Sequence, residues 1–326
     1  MTHGFLLGKF MPPHAGHVFL CKTAAQLCDR LTVLVCSLPG DPIPGMLRFA
    51  WMKDLLPGVR VLHYDSPAPQ EPQDHPEFWD IWRNICRRAH PEPIDFLFGS
   101  ETYVTQLAAE LEAEAMVLDS ARLAFPVSGT AVRQNPASVW RFVPGPVRPY
   151  YQKRVILFGA ESTGKTTLAK ALAWHFDTLH VPEYGRTYDA NRKQAVWTKD
   201  DFAAIARGHE AMRAAIAPEA GYLLFEDTDP LLTRVWEEYL LGETPPNELR
   251  HPLADLYLLL DTDIPWHDDG TRYQAEPAAR EQFHLRCRQL LEQVGANWRL
   301  ISGSAAERWS QCLAAVAEVS RNGNPQ

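Results

Sequence analysis

Val155-Ile156-Leu157-Phe158-Gly159-Ala160-Glu161-Ser162-Thr163-Gly164-Lys165-Thr166 joins a strand-length apolar run to a glycine-rich loop, and an apparent helix over residues 168–174 follows. The spacing G-x-x-x-x-G-K-[ST] in this strand–loop–helix setting reads as a P-loop. In such a loop backbone N–H groups cradle phosphates, Lys165 reaches the β- and γ-phosphates, and the Thr166 hydroxyl ligates Mg²⁺. Gly159, Glu161, Ser162, Thr163, Gly164, Lys165 and Thr166 therefore form the expected ATP-binding set. Strands followed at once by helices also predict a parallel sheet.

Working outward, further strand-like runs lie at residues 222–225, 256–260 and 299–301. The first runs into Glu226-Asp227-Thr228-Asp229. Carboxylates just past a buried strand sit where Mg²⁺ and an acceptor hydroxyl would be. Asp227 is the expected metal ligand or base, with Asp229 close behind; a capped helix start before Pro230 is the plainer reading of the same residues. Glu183-Tyr184-Gly185-Arg186 and the mixed stretch Pro265-Trp266-His267-Asp268-Asp269-Gly270-Thr271-Arg272 are expected on the acceptor side, through Glu183, Tyr184, Arg186, Trp266 and Arg272.

The N-terminal half repeats the alternation, with strands expected at residues 5–8, 31–36, 59–64, 96–98 and 116–118 and a helix at 17–27. Between its first strand and first helix lies Gly8-Lys9-Phe10-Met11-Pro12-Pro13-His14-Ala15-Gly16-His17. An open α/β sheet binds its ligand at such a place, and a helix N-terminus offers free N–H donors to an anion. Gly8 lets the chain turn, Gly16 allows close approach, and His14 and His17 can share one face. The pattern resembles the nucleotidyltransferase superfamily signature through Gly8, Phe10, Pro12, His14, Gly16 and His17. A second hallmark of that superfamily is matched by Ser128-Gly129-Thr130-Ala131-Val132-Arg133. Ser128 can cap a helix, Gly129 and Thr130 can hold ATP phosphates, and Arg133 adds a cation. The resemblance implies adenylyl transfer: a substrate phosphate attacks the α-phosphorus of ATP in line and pyrophosphate leaves. Lys9, His14, His17 and Arg133 are assigned to the developing charge, with Mg²⁺ assisting.

With 326 residues, about two domains are expected at roughly 150 residues each. Pro136, Pro144, Pro146 and Pro149 suggest an irregular connection, giving a nucleotidyltransferase domain over 1–140, a connection over 141–152 and a kinase domain over 153–321. Residues 65–76 form a second proline-rich loop, no internal repeat is evident, and residues 322–326 read as a frayed tail. The fold class expected is α/β, two doubly wound parallel-sheet domains, the first Rossmann-like and the second a P-loop kinase. Up to residue 152 there are 13 basic and 15 acidic residues, and beyond it 19 and 25, so neither half has the basic excess of a nucleic-acid binder. No apolar run approaches the ~18 residues of a membrane span, and the N-terminus does not read as a signal peptide. The six cysteines form no C-x-x-C pair and are expected as reduced, mostly buried thiols of a cytoplasmic protein, with a zinc site the weaker alternative.

The ordered set of motifs resembles the NadR-type family, bifunctional nicotinamide-nucleotide adenylyltransferases and ribosylnicotinamide kinases. The match runs through the first motif, S-G-T-x-x-R-x-N-P to Pro136, V-R-P at 147–149, the P-loop, E-Y-G-R, D-T-D and P-W-x-x-D-G-x-R. It covers roughly residues 4 to 302. The resemblance implies ATP as co-substrate, Mg²⁺, and small-molecule substrates, nicotinamide riboside and then the mononucleotide NMN, on the way to NAD. It also implies a stacking aromatic for the pyridine ring. Trp79 suits that role, since it lies off the stripe of Phe78, Ile81, Trp82 and Ile85 that faces the core. Some relatives carry an N-terminal helix-turn-helix domain; here the first strand starts within five residues of Met1, so none is expected. Leu7-Gly8 replaces the family's Gly-Gly. Neither nucleic acid nor membrane is an expected partner, and a homo-oligomer stays open. The residues alone also leave open nicotinate or another vitamin-derived nucleotide as substrate, and a nucleotide-binding regulatory sensor.

Overall fold

The computed structural model describes residues 1–243, 251–266, 273–274 and 276–321. Contacts divide the chain into two compact units, Met1–Val147 and Arg148–Gln326.

The first unit holds strands β1 (His3–Gly8), β2 (Arg30–Cys36), β3 (Arg60–Tyr64), β4 (Phe96–Gly99) and β5 (Glu114–Val117). They form one sheet in the order β3-β2-β1-β4-β5, every pair parallel. The chain starts in the middle, winds to one edge, returns and winds to the other. Helices therefore cover both faces, and the inner strands must be apolar on both sides. Leu6, Val33 and Val35 pack on one face; Phe5, Leu34 and Leu97 pack on the other.

The second unit repeats the plan with β6 (Lys153–Phe158), β7 (His180–Val181), β8 (Leu223–Asp227), β9 (Leu256–Leu260) and β10 (Trp298–Ile301). The order is β10-β9-β6-β8-β7, again all parallel. Val155 and Leu157 face one core, and Ile156 and Phe158 the other. In both units the first strand is central, and the crevice beyond its C-terminal end is the binding place for such a sheet.

Contrary to the expectation, the proline-rich segment is not irregular throughout. It folds into 3-10 turns at Pro136–Phe142 and Gly145–Val147 and a single α-turn at Arg148–Tyr151. Pro136 sits in the first turn of its element, where a missing N–H costs nothing, and Asn135 caps that turn by accepting from the Ser138 N–H at 3.2 Å. A third 3-10 turn, Pro72–Asp74, lies in the loop at 65–76. All six cysteines are free thiols, five of them buried. Among the described residues no helix is long and apolar enough to cross a membrane. The tail at 322–326 lies outside the described residues.

Candidate functional sites

In the first unit the two motifs meet at the end of β1. Phe10 takes a left-handed φ of 47° and buries its ring under Gly8 and 5.1 Å from His17. His14 is the N-cap of the helix Ala15–Leu27, two residues earlier than the expected start. The His17 N–H donates to His14 Nδ1 at 3.4 Å, and the His14 N–H donates to His17 Nδ1 at 3.3 Å. The rings stack 3.6 Å apart. A ring nitrogen that accepts carries no proton, so each imidazole is a neutral ring with its proton on Nε2. Burial, with a smaller push from the Arg122 charge, lowers His14 to about 4. Burial, then His14 and Arg122, holds His17 well below its ordinary value. The pair thus offers two neutral N–H donors rather than two cations.

Ser128 caps the helix Gly129–Gln134 by accepting from the Ala131 N–H at 3.1 Å. Arg133 reaches back 122 residues to the Met11 carbonyl and also donates to Thr130 Oγ1 at 3.2 Å. Gly129 is required here: a Cβ would lie 2.5 Å from the Met11 oxygen. A cavity of about 780 Å³ opens between the motifs, with Lys9, His14, His17, Thr130 and Arg133 on its wall. Trp79 lines the same cavity, half-buried, its ring edge-on to Phe78 at 4.9 Å.

In the second unit β6 ends in the P-loop. Gly159 (φ 130°), Ser162 (φ 54°) and Gly164 (φ 90°) take the left-handed backbone the loop demands. Lys165 Nζ donates to the Gly159 and Ala160 carbonyls at 3.0 and 2.8 Å. The Thr166 hydroxyl donates to Asp227 Oδ2 at 2.5 Å, while the buried Asp227 Oδ1 has no partner among the described residues. A hydroxyl and a carboxylate with a spare oxygen are the hard oxygen donors that Mg²⁺ takes, so the residues fit that ion. A cavity of about 410 Å³ lies alongside, walled by Lys165, Glu183, Arg186, Asp189, Trp197 and Tyr273 among others. Glu183 pairs with Arg186 at 3.5 Å. Burial pushes its carboxyl up; Lys165 opposes the rise and Asp227 adds to it.

A profile of AAA domains matches residues 154–308. The trifunctional NAD biosynthesis/regulator protein NadR of Escherichia coli K12 is 26% identical over 346 aligned positions, covering 98% of this chain and 83% of the relative. Its counterpart from Salmonella typhimurium LT2 is 25% identical over 343 positions, covering 97% and 83%. Among solved structures, a NadR protein in complex with NR superposes with a TM-score of 0.74 at 22% identity, over 100% of this chain and 98% of that one. A NadR protein in complex with NAD and AMP-PNP gives 0.73 at 23%, with the same coverage.

Over nearly its whole length the chain is similar to the NadR proteins.

Not every expected residue turns toward a cavity. Asp229 is the N-cap of the helix Pro230–Leu241: it accepts from the Leu232 N–H at 3.0 Å and from the Tyr257 hydroxyl at 3.0 Å. Both oxygens are used and the group is buried, so the capping reading holds and the acceptor role does not. Tyr184 lays its ring on the helix Lys199–Ile216, where a Cβ on Gly208 would come within 2.0 Å of it. Its part is packing. Glu161 does line the 410 Å³ cavity, and its carboxylate accepts from the Tyr273 and Gln274 N–H groups at 2.9 Å each. Trp266 is half-buried, its Nε1 has no partner among the described residues, and it lies outside the lining of the 410 Å³ cavity. Arg272 lies outside the described residues.

Sequence reasoning also missed several residues. Arg48 is fully buried and donates to the carbonyls of Lys9, Cys36 and Ile43 while pairing with Asp41. It ties the first motif to the end of β2. Arg122 lines the first cavity and pairs with Glu101 at 3.8 Å. Trp197, held 3.7 Å from the Arg192 guanidinium, and Tyr273, bonded to Asp189 at 2.9 Å, wall the second cavity. An isolated Arg or Trp between motifs carries no local spacing that marks it.

Proposed function

We propose that this chain makes NAD in two steps: its second unit phosphorylates nicotinamide riboside with ATP, and its first unit adenylylates the resulting NMN with a second ATP. The observation that carries the reading is that each unit holds its own complete phosphate cradle, each beside a separate cavity. The names of the NadR relatives, and the ligands of the two NadR structures, support the choice of substrate.

In the second unit the riboside enters the aromatic cavity. Trp197 and Tyr273 offer faces and edges to a cationic pyridine ring. Glu183, its carboxyl raised by burial, lies beside Lys165 and is suited to accept the proton of the attacking 5′-hydroxyl. Lys165 leaves its loop carbonyls and follows the phosphate charge. Thr166 and Asp227 would hold Mg²⁺, which when bound would neutralise charge on the transferred phosphoryl group.

In the first unit the NMN phosphate attacks the ATP α-phosphorus. His14 and His17 donate neutral N–H bonds to the charge that builds there, and Arg133 and the capped helix start hold the leaving pyrophosphate. No protein nucleophile takes part. Trp79 stacks on the pyridine ring.

The test is incubation of the purified chain with ATP, Mg²⁺ and nicotinamide riboside, with products resolved by chromatography and mass. NMN and NAD are expected in that order of appearance. Folded protein that makes neither refutes the reading.

A further inference from the structure

Every carbonyl of the P-loop is engaged before any nucleotide arrives. Lys165 takes those of Gly159 and Ala160, and the Thr163 hydroxyl adds a second bond to Ala160 at 2.9 Å. Arg280 Nε donates to the Glu161 carbonyl at 3.0 Å and its Nη2 to the Ser162 carbonyl at 3.1 Å. Arg308 Nη1 donates to the Thr163 carbonyl at 3.1 Å. The Gly164 carbonyl begins the helix Lys165–His175, accepting from Leu168.

Both arginines are nearly inaccessible, 5% and 4% exposed. Each is also anchored outside the loop: Arg280 to the Ile264 carbonyl at 2.9 Å, Arg308 to the Gly303 and Asp261 carbonyls at 2.9 and 3.0 Å and to the Asp263 carboxylate. Each also sits in the first turn of its helix, Pro277–Gln293 or Ala305–Arg321, where the dipole disfavours a cation. That placement is unfavourable for the helix and explicable by the loop.

We propose that Arg280 and Arg308 are positioning residues that hold the P-loop open as an anion nest. A trans peptide points its C=O and the next N–H in opposite directions. Drawing the carbonyls of residues 161–163 outward therefore turns the following N–H groups inward. Among the described residues, the Thr163 and Gly164 N–H groups meet no acceptor. When a nucleotide binds, Lys165 transfers to the phosphates while the two guanidinium groups stay behind the loop. Preordered N–H donors then cost no rearrangement at binding or in the transition state. The inference rests on the P-loop binding a nucleotide, as proposed above.

The test compares wild type with Arg280→Lys and Arg308→Lys, which keep the charge but lose the planar guanidinium fork that reaches carbonyls on several sides at once. MgADP binding is measured by calorimetry, counting only the component that Lys165→Ala removes, alongside a thermal melt. Each lysine variant should bind MgADP at least tenfold more weakly per folded molecule, and riboside phosphorylation should lose kcat as well as affinity for ATP. Equal MgADP affinity in a folded variant overturns the proposal. Absence of riboside phosphorylation in wild type with intact MgADP binding would count against the substrate reading alone. If neither variant folds, amide order parameters decide. Residues 161–164 should be as rigid in nucleotide-free wild type as with MgADP; a loop that orders only on binding refutes the preformed nest.

Discussion

Lowering the pH from 7 to 5 puts the His14 assignment under direct test. His14 is 7% exposed, stacked on His17 and close enough to Arg122 to feel its charge, and its folded pKa is about 4 against an ordinary 6.5. Between those values the unfolded chain takes up a proton that the folded chain refuses. Stability from this group is therefore full above 6.5 and is lost as the pH falls toward 4. Over the step from pH 7 to pH 5 the loss from His14 is about 2 kcal/mol, with each pKa unit worth about 1.4 kcal/mol. His17, lowered for the same reasons, adds in the same direction. His14→Asn keeps an N-cap acceptor but does not titrate. Two assays check this: ring NMR of the histidines against pH, and urea unfolding of the N-terminal unit at pH 7 and 5 in wild type and variant. The His14 ring should stay neutral down to about pH 4, and the wild type should lose about 2 kcal/mol more than the variant. A His14 ring that titrates between pH 6 and 7, or an equal loss in the variant, would show that burial does not hold the ring neutral and would refute this reasoning.

Other outcomes follow from particular contacts. Gly129→Ala places a Cβ 2.5 Å from the Met11 carbonyl oxygen, so the two motifs must separate by most of an ångström. Adenylylation of NMN should fall about 10²-fold, as for other ~1 Å misplacements, with riboside phosphorylation unchanged. Lys165→Ala should cripple riboside phosphorylation and spare adenylylation, and His17→Ala should do the reverse at a cost of about 10²–10³ in rate. Separate assays starting from riboside and from NMN read this out; a folded Lys165→Ala protein that loses both would point to one shared nucleotide site. Asp227→Asn removes a charge from the Thr166–Asp227 pair, and the phosphorylation step should then need far more Mg²⁺ for half-maximal rate, seen in a metal titration. Gly208→Ala should lower the thermal midpoint through a net loss of about 1–2 kcal/mol, because overpacking against the Tyr184 ring outweighs the gain in helix propensity.

The two candidate phosphate sites were legible because the chemistry proposed for them is written in local spacing. A glycine that must turn, a lysine that must reach and a hydroxyl that must ligate all fall within eight residues of one loop. The parallel sheets were legible for a related reason: strands buried on both faces are apolar without interruption, as in Leu256–Leu260. The connection was misjudged because prolines were counted without asking where in a turn each would fall. Asp229 was misjudged because a carboxylate two residues past a strand can serve a metal or a helix start, and only the rotamer decides. The supports of the loop were invisible for a different reason. Arg280 lies 119 residues from the carbonyl of Glu161, and Arg308 lies 145 from that of Thr163. No window along the chain contains both partners.

One sheet plan thus carries two proposed anion sites of opposite character. At the end of β1 the donors are neutral imidazoles kept neutral by burial, and a single arginine bonds the Met11 carbonyl across the two motifs. At the end of β6 the loop is drawn outward by one lysine and two arginines, all cationic. The backbone topology fixes only where a phosphate can sit, beyond the central strand. What the site does there is set by helices that arrive late in the chain or by caps that form early. In the first unit the side chains that cap the helix are themselves the donors. Any substitution that restores the cap without the ring should therefore keep the fold of that unit and lose its chemistry. In the second unit backbone N–H groups are proposed to act beside Lys165, so the shape of the loop and its nucleotide binding should weaken together once the arginines behind it are changed.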